Sequence, residues 1–139
     1  MVDVYIDGGC RGNPGEGAFG FVVFEDGKER YRFGEKIGIC TNNVAEYRAL
    51  IGAARYLLDR KNSKGKRITV YSDSELLVKQ LGGAYRVRSS RLKPLFSDAA
   101  NLIRKLKDVR LVQIKREENH LADWIVNRIL DNKEYKTDL

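Results

Sequence analysis

Two aspartates close short stretches of matching sequence. Val4-Tyr5-Ile6-Asp7 and Val70-Tyr71-Ser72-Asp73 each place an acid two positions after a tyrosine. If both stretches are strands, paired in parallel and in register, the tyrosines lie side by side on one face. The two carboxylates then meet at the strands' C-terminal ends, the edge at which open α/β sheets bind ligands. Glu46, in the first turn of a helix, and Asp123, in the first turn of the last helix, point to the same edge. Four carboxylates gathered in one place repel and raise one another's pKa. A pair of divalent cations removes that cost, and two metals about 3.5–4 Å apart suit phosphodiester cleavage. Each acid also has a structural reading. Glu46 could complete a capping box with Asn43, Asp73 could cap a helix over 74–81, and Asp123 could favour a helix dipole.

The rest of the composition narrows the metal. His120 is the only histidine, and Cys10 and Cys40 stand in no C-x-x-C pattern, which excludes multi-histidine and thiolate zinc sites. Carboxylates alone suit hard cations such as Mg²⁺ or Mn²⁺. Lys and Arg total 26 against 19 Asp and Glu, a net charge of +7 with a pI near 9.5, which favours a polyanionic partner. The 139 residues, 42% hydrophobic, fit one domain with one core over 1–139. No run of about 18 apolar residues is present, and Met1-Val2-Asp3-Val4 opens no signal peptide. A cytoplasmic location with free thiols is expected.

Residues 2–7 alternate, Val2, Val4 and Ile6 on one face and Asp3, Tyr5 and Asp7 on the other, as in a strand. A glycine-rich turn is expected over Gly8–Gly17, then a strand at 18–25. Asp26-Gly27 signals a hairpin into a third strand at 29–38. Tyr47, Leu50, Ile51, Ala54, Leu57 and Leu58 follow helical spacing over 43–59, with Asn43 as the cap. Lys64-Gly65-Lys66 ends a polar turn, and 68–72 reads as a fourth strand. Helices follow at 74–81, ending at Gly82-Gly83, and at 93–107, with Pro94 in its first turn. Val109–Lys115 reads as a fifth strand and 120–132 as the last helix, with Ala122, Ile125, Val126 and Ile129 inward. The order βββαβαβα predicts an α/β fold: a mixed sheet of three antiparallel strands, then parallel ones, with helices packed on it.

Four segments, in order, resemble type 1 ribonuclease H, and the resemblance covers nearly the whole chain. Tyr5-Ile6-Asp7-Gly8-Gly9-Cys10-Arg11-Gly12-Asn13-Pro14-Gly15 is similar to the signature D-G-[SG]-x-x-x-N-P-G. Thr41-Asn42-Asn43-Val44-Ala45-Glu46 resembles T-N-N-x-A-E. Tyr71-Ser72-Asp73-Ser74 resembles the third acidic motif, and Asn119-His120-Leu121-Ala122-Asp123 resembles N-x-x-A-D. The resemblance implies a ribonuclease H-like fold. It also implies an endonuclease that cuts the RNA strand of RNA–DNA hybrids, leaving 5′-phosphate and 3′-hydroxyl ends. Asp7, Glu46, Asp73 and Asp123 would hold two Mg²⁺ ions, or Mn²⁺ in their place, with Asp7 bridging. One ion would activate a water for in-line attack, and the other would stabilise the departing ribose 3′ oxygen.

The glycine-rich stretch is not a Walker loop, because no G-K-[ST] follows. The resemblance makes it a minor-groove contact. Cys10, Gly12, Asn13, Asn42 and Asn43 would read the 2′-hydroxyls that distinguish RNA from DNA, and Thr41 would touch a DNA phosphate. Arg86, Arg88, Arg91 and Lys93 form a basic stretch that could grip the DNA backbone. The chain departs from bacterial relatives that carry a longer basic protrusion there. It also carries Gln113 where many of them place a mobile histidine. Arg116, at the end of the fifth strand and seven residues before Asp123, is the candidate to reach the scissile phosphate or the metal site, and His120 reads as a partly exposed helix-end residue. The alternatives are a non-catalytic hybrid-binding module with the same fold, against which the presence of all four acids argues, and a related nuclease such as a resolvase or a reverse transcriptase's nuclease domain. The four acids and the short chain favour a free-standing monomeric enzyme.

Overall fold

The computed structural model describes residues 1–60 and 65–137. Lys64, expected in a turn, lies outside the described residues. The elements are β1 (Val2–Arg11), β2 (Gly15–Glu25), β3 (Lys28–Cys40), α1 (Asn42–Asp59), β4 (Ile68–Ser72), α2 (Glu75–Leu81), α3 (Leu92–Leu106), β5 (Val109–Gln113) and α4 (His120–Leu130). They form one five-stranded sheet in the order β3-β2-β1-β4-β5. β1, β2 and β3 pair antiparallel, while β4 pairs parallel with both β1 and β5. The mixed sheet is the one expected. Two helices, α2 and α3, make the crossover between β4 and β5, so the full order reads βββαβααβα.

Alternation along β1 and β2 decides where the helices go. Val2, Val4 and Ile6 are each at most 1% exposed and pack with Phe21, Tyr47, Leu50 and Leu57 in the core. Gly52 of α1 lies against Phe19 and Phe21, whereas Ile125 of α4 lies against Gly20. Neighbouring β2 residues point to opposite faces, so α1 and α4 cover opposite sides of the sheet. α3 packs on α1.

Several boundaries differ from the expectation. The glycine-rich stretch is mostly strand: β1 continues to Arg11 and β2 starts at Gly15, leaving 12–14 to turn. Pairing with β2 along the whole of β1 supplies the backbone hydrogen bonds that a loop would have left to water. Gly12, with φ of 87°, takes the one left-handed position that turn needs. The second hairpin falls at Asp26-Gly27 as expected, with φ of 51° and 83°. β5 ends at Gln113, not Lys115, and Arg116–Glu118 form a single 3-10 turn, so Arg116 does not end the strand.

Candidate active site

The β1–β4 register pairs Tyr5 with Tyr71. Their rings stack with centroids 4.7 Å apart and planes 15° from parallel. Two residues further along each chain stand Asp7 and Asp73, at the sheet edge expected from the matching motifs.

Glu46 reaches this edge because Gly8 has no side chain. A Cβ there would lie 2.2 Å from the Ala45 carbonyl carbon and 2.5 Å from the Glu46 nitrogen. The first turn of α1 therefore rests directly on β1 at Gly8. The helix is capped by Thr41, not by Asn43: its hydroxyl accepts from the Val44 N–H at 3.3 Å. Glu46 is thus no partner in a capping box, and its carboxylate turns inward. Asp73 likewise caps nothing, since Ser74 caps α2 through the Leu77 N–H.

Asp7, Glu46 and Asp73 each offer a carboxylate oxygen, and these oxygens lie within 4.8 Å of one another. Asp123 stands outside this tight group but lines the same cavity of about 420 Å³, with Gly8, Gly9, Cys10, Arg11, Asn42, Arg116 and Asn127. Two further glycines bring Asp123 there. Gly20, paired with Asp7, and Gly34, paired with Gly20, form a bare lane across the sheet. Ile125 fills that lane, 2.8 and 2.7 Å from where their Cβ atoms would be.

The electrostatics suit a divalent cation. Burial, then Asp73 and Asp123, push the Asp7 carboxyl up to about 8. Burial, then Asp7 and Asp73, hold Glu46 well above the usual carboxylate range. Burial raises Asp73 too, while the Asn119 amide and the Arg116 cation pull it back. Among the described residues, Glu46 Oε2 is buried without a hydrogen-bond partner. Hard oxygen donors, repelling charges and an orphaned carboxylate oxygen make a set that a divalent cation satisfies.

Asn119 has a part that its sequence position does not announce. It occupies the N-cap position of α4, yet its side chain makes no cap. Buried instead, it donates from Nδ2 to the Ile6 carbonyl at 2.8 Å, beside Asp7, and also faces Asp73. Arg116 lines the cavity near Asp73, while His120 is exposed and absent from its lining.

The expected hybrid contacts divide into two groups. Cys10 donates from its backbone N–H to Asn42 Oδ1 at 3.0 Å, and the Asn42 N–H donates to Asn13 Oδ1 at 3.1 Å. Cys10, Asn13 and Asn42 thus tie the β1–β2 hairpin to the start of α1, beside the acids. Gly12 sits in that hairpin turn, Thr41 at the helix cap and Asn43 exposed in the first turn. Arg86, Arg88 and Arg91 lie on the exposed connection between α2 and α3, and Lys93 at the start of α3. None of these four lines the cavity. Cys10 and Cys40 form no disulfide in this structure. No helix among the described residues is long and apolar enough to cross a membrane.

A family model described as "Reverse transcriptase-like" matches residues 5–129. Ribonuclease HI of Halobacterium salinarum is 36% identical over 132 residues, covering 94% of this chain. The crystal structure of LC11-RNase H1 in complex with an RNA/DNA hybrid superposes with a TM-score of 0.90 at 36% identity, covering 95% of this chain and 98% of that one. The N-terminal RNase H domain of a Mycobacterium tuberculosis protein gives a TM-score of 0.84 at 32% identity, covering 91% and 95% of the two chains. The chain spans 65% of the length of the Halobacterium protein and 35% of the full mycobacterial one.

Proposed function

The chain belongs to the type 1 ribonuclease H family, and from that premise we propose that it is an endonuclease hydrolysing the RNA strand of RNA–DNA hybrids. The observation that carries this reading is the convergence of Asp7, Glu46 and Asp73 within 4.8 Å, with Asp123 across the same cavity. Two Mg²⁺ ions, or Mn²⁺ in their place, are the cations that these residues would hold. When bound, such ions supply electrophilic activation of the phosphodiester and of the attacking water.

The remaining work falls to the protein. Asp7, the most central carboxylate, faces Glu46, Asp73 and Asp123 and would hold the cations together with them. Asn119 ties the start of α4 to the β1 backbone next to Asp7. Arg116 offers a planar cation to a phosphate oxygen. The cluster of Cys10, Gly12, Asn13, Asn42 and Asn43 presents backbone and amide groups to ribose 2′-hydroxyls, with Thr41 on a phosphate of the DNA strand. Thr41 can still donate its hydroxyl proton while the oxygen caps α1. Arg86, Arg88, Arg91 and Lys93 extend the DNA-strand contact away from the cavity. Products carry 5′-phosphate and 3′-hydroxyl ends. Residues 1–139 act as one domain and as a cytoplasmic monomer.

The test compares cleavage of one sequence as hybrid, double-stranded RNA and DNA duplex, in Mg²⁺ and in chelator. The hybrid is expected to be cut in its RNA strand only with the metal. A few consecutive deoxyriboses at the cut site should abolish cleavage there. Cleavage of the DNA duplex at the same rate overturns the reading.

A further inference from the structure

Asp123 differs from the other three acids in how it is held. It lies outside the tight group, and the side chain hydrogen-bonded to it, Asn127, comes from its own helix. Asn127 Nδ2 donates to Asp123 Oδ2 at 3.3 Å and to the Asp123 carbonyl at 3.0 Å. Arg11 then donates to Asn127 Oδ1 at 3.4 Å and to Asp131 Oδ1 at 2.7 Å. Asp123, Asn127 and Asp131 are spaced four residues apart, so they form one row along α4, and the end of β1 lays Arg11 across it.

The direction of these bonds follows from donor and acceptor chemistry. A guanidinium has donors only, and a carboxylate has acceptors only. An amide between them can satisfy both in one orientation, oxygen toward Arg11 and NH₂ toward Asp123. Arg11 thereby sets the way the Asn127 amide points, and Asp131 holds Arg11 over it. The Arg11–Asp131 pair is half-exposed, 50% and 41%, so it contributes little to stability. Its consequence is geometric: one oxygen of Asp123 is engaged, and the carboxylate plane is fixed relative to the cavity.

We propose that Asn127, oriented by Arg11 and Asp131, is a positioning residue that holds the Asp123 carboxylate as a ligand for the second, more weakly bound cation. This rests on the two-cation reading above. Partners that orient a ligand commonly change metal affinity by about 10–100-fold when removed.

The experiment is Mn²⁺ calorimetry on the free enzyme, joined to steady-state kinetics on a hybrid. Asn127→Leu keeps the shape and removes both polar atoms, and the site is exposed, so the variant should fold with an unchanged melting temperature. It should weaken the second Mn²⁺ equivalent by about tenfold and leave the first unchanged. kcat at fixed Mg²⁺ should fall and KM for the hybrid stay constant. Arg11→Gln should shift the same equivalent in the same direction by a smaller factor. Identical Mn²⁺ isotherms for wild type and Asn127→Leu overturn the proposal, as does a rise in KM with kcat unchanged, which would make the row a substrate contact. Absence of any Mn²⁺ binding by the wild type overturns the metal reading itself, and the positioning role with it.

Discussion

Gly8 and Glu46 are in van der Waals contact through the backbone: a Cβ on Gly8 would fall 2.5 Å from the Glu46 nitrogen and closer still to Ala45. The obstructing atoms are main chain, which cannot rotate away as a side-chain tip can. Gly8→Ala must therefore lift the start of α1 off β1, and overpacking of this kind costs about 1–3 kcal/mol. The same displacement draws Glu46 away from Asp7. Activity should fall at least about tenfold, equivalent to roughly 1.4 kcal/mol of barrier. Thermal unfolding and hybrid cleavage measured on one sample check both parts. Wild-type activity in a destabilised variant would separate the contact from the site.

Stability should depend on pH through the buried acids. Unfolded, Asp7 ionises near 3.8; folded and cation-free, burial first and then Asp73 and Asp123 raise it to about 8. Between those values the folded protein holds a proton that the unfolded chain has released. That stability is fully present below the unfolded value and is lost as pH rises through the folded one. Glu46 and Asp73 shift in the same direction. In chelator, the melting temperature should therefore fall between pH 5 and pH 8.5. Asp7→Asn should flatten the fall and melt above wild type at pH 8, and Mg²⁺ should raise the wild type most at high pH. Calorimetric scans across this range decide it, and a wild-type melting temperature that rises with pH in chelator contradicts it.

Arg116 and His120 sit four residues apart with different access to the cavity. Arg116 lines it beside Asp73, and His120 is exposed and does not. Metal-activated hydrolysis needs no side-chain base. Arg116→Ala should lower kcat at least about tenfold, roughly 1.4 kcal/mol. His120→Ala should change it by less than about threefold. Steady-state kinetics at saturating Mg²⁺ measure both, and the reverse ordering would assign the role to His120.

The basic connection between α2 and α3 should announce itself through salt. Among the described residues, Arg86, Arg88, Arg91 and Lys93 enter no salt bridge, which leaves four cations for phosphates. Each neutralised phosphate contributes a slope of about 0.7–0.9 to the fall of log affinity with log salt. Replacing all four by Gln should flatten the slope and raise KM. An unchanged slope would leave this stretch as a solvated connection.

What could be read from the sequence was whatever a local pattern encodes. The repeated Val-Tyr-x-Asp motif foretells the stacked Tyr5–Tyr71 pair and the meeting of Asp7 with Asp73, because parallel register preserves spacing along both strands. The Asp26-Gly27 hairpin is equally local. The cap of α1 lies at Thr41, two residues before the expected Asn43, since Thr41, Asn42 and Asn43 are all acceptable caps and only packing selects one. The glycines between Gly8 and Gly20 resemble a loop because composition does not say what packs on them. Gly8 and Gly20 make room for helices whose partner residues lie far along the chain. The Arg11–Asn127 contact, 116 residues apart, and the turn of Asn119 toward the Ile6 carbonyl leave no local trace.

In the proposed reaction Asp7, Glu46, Asp73 and Asp123 hold the divalent cations that cleavage of the RNA strand requires, with Asp7 at their centre. The direct measurement is the single-turnover cleavage rate of an end-labelled hybrid by wild type and Asp7→Asn, across a Mg²⁺ series. Asp7→Asn should fold, bind the hybrid as wild type does, and cleave at no more than a few per cent of the wild-type rate at any Mg²⁺ concentration. Cleavage by Asp7→Asn near the wild-type rate, or cleavage by wild type that persists in chelator, would contradict the account.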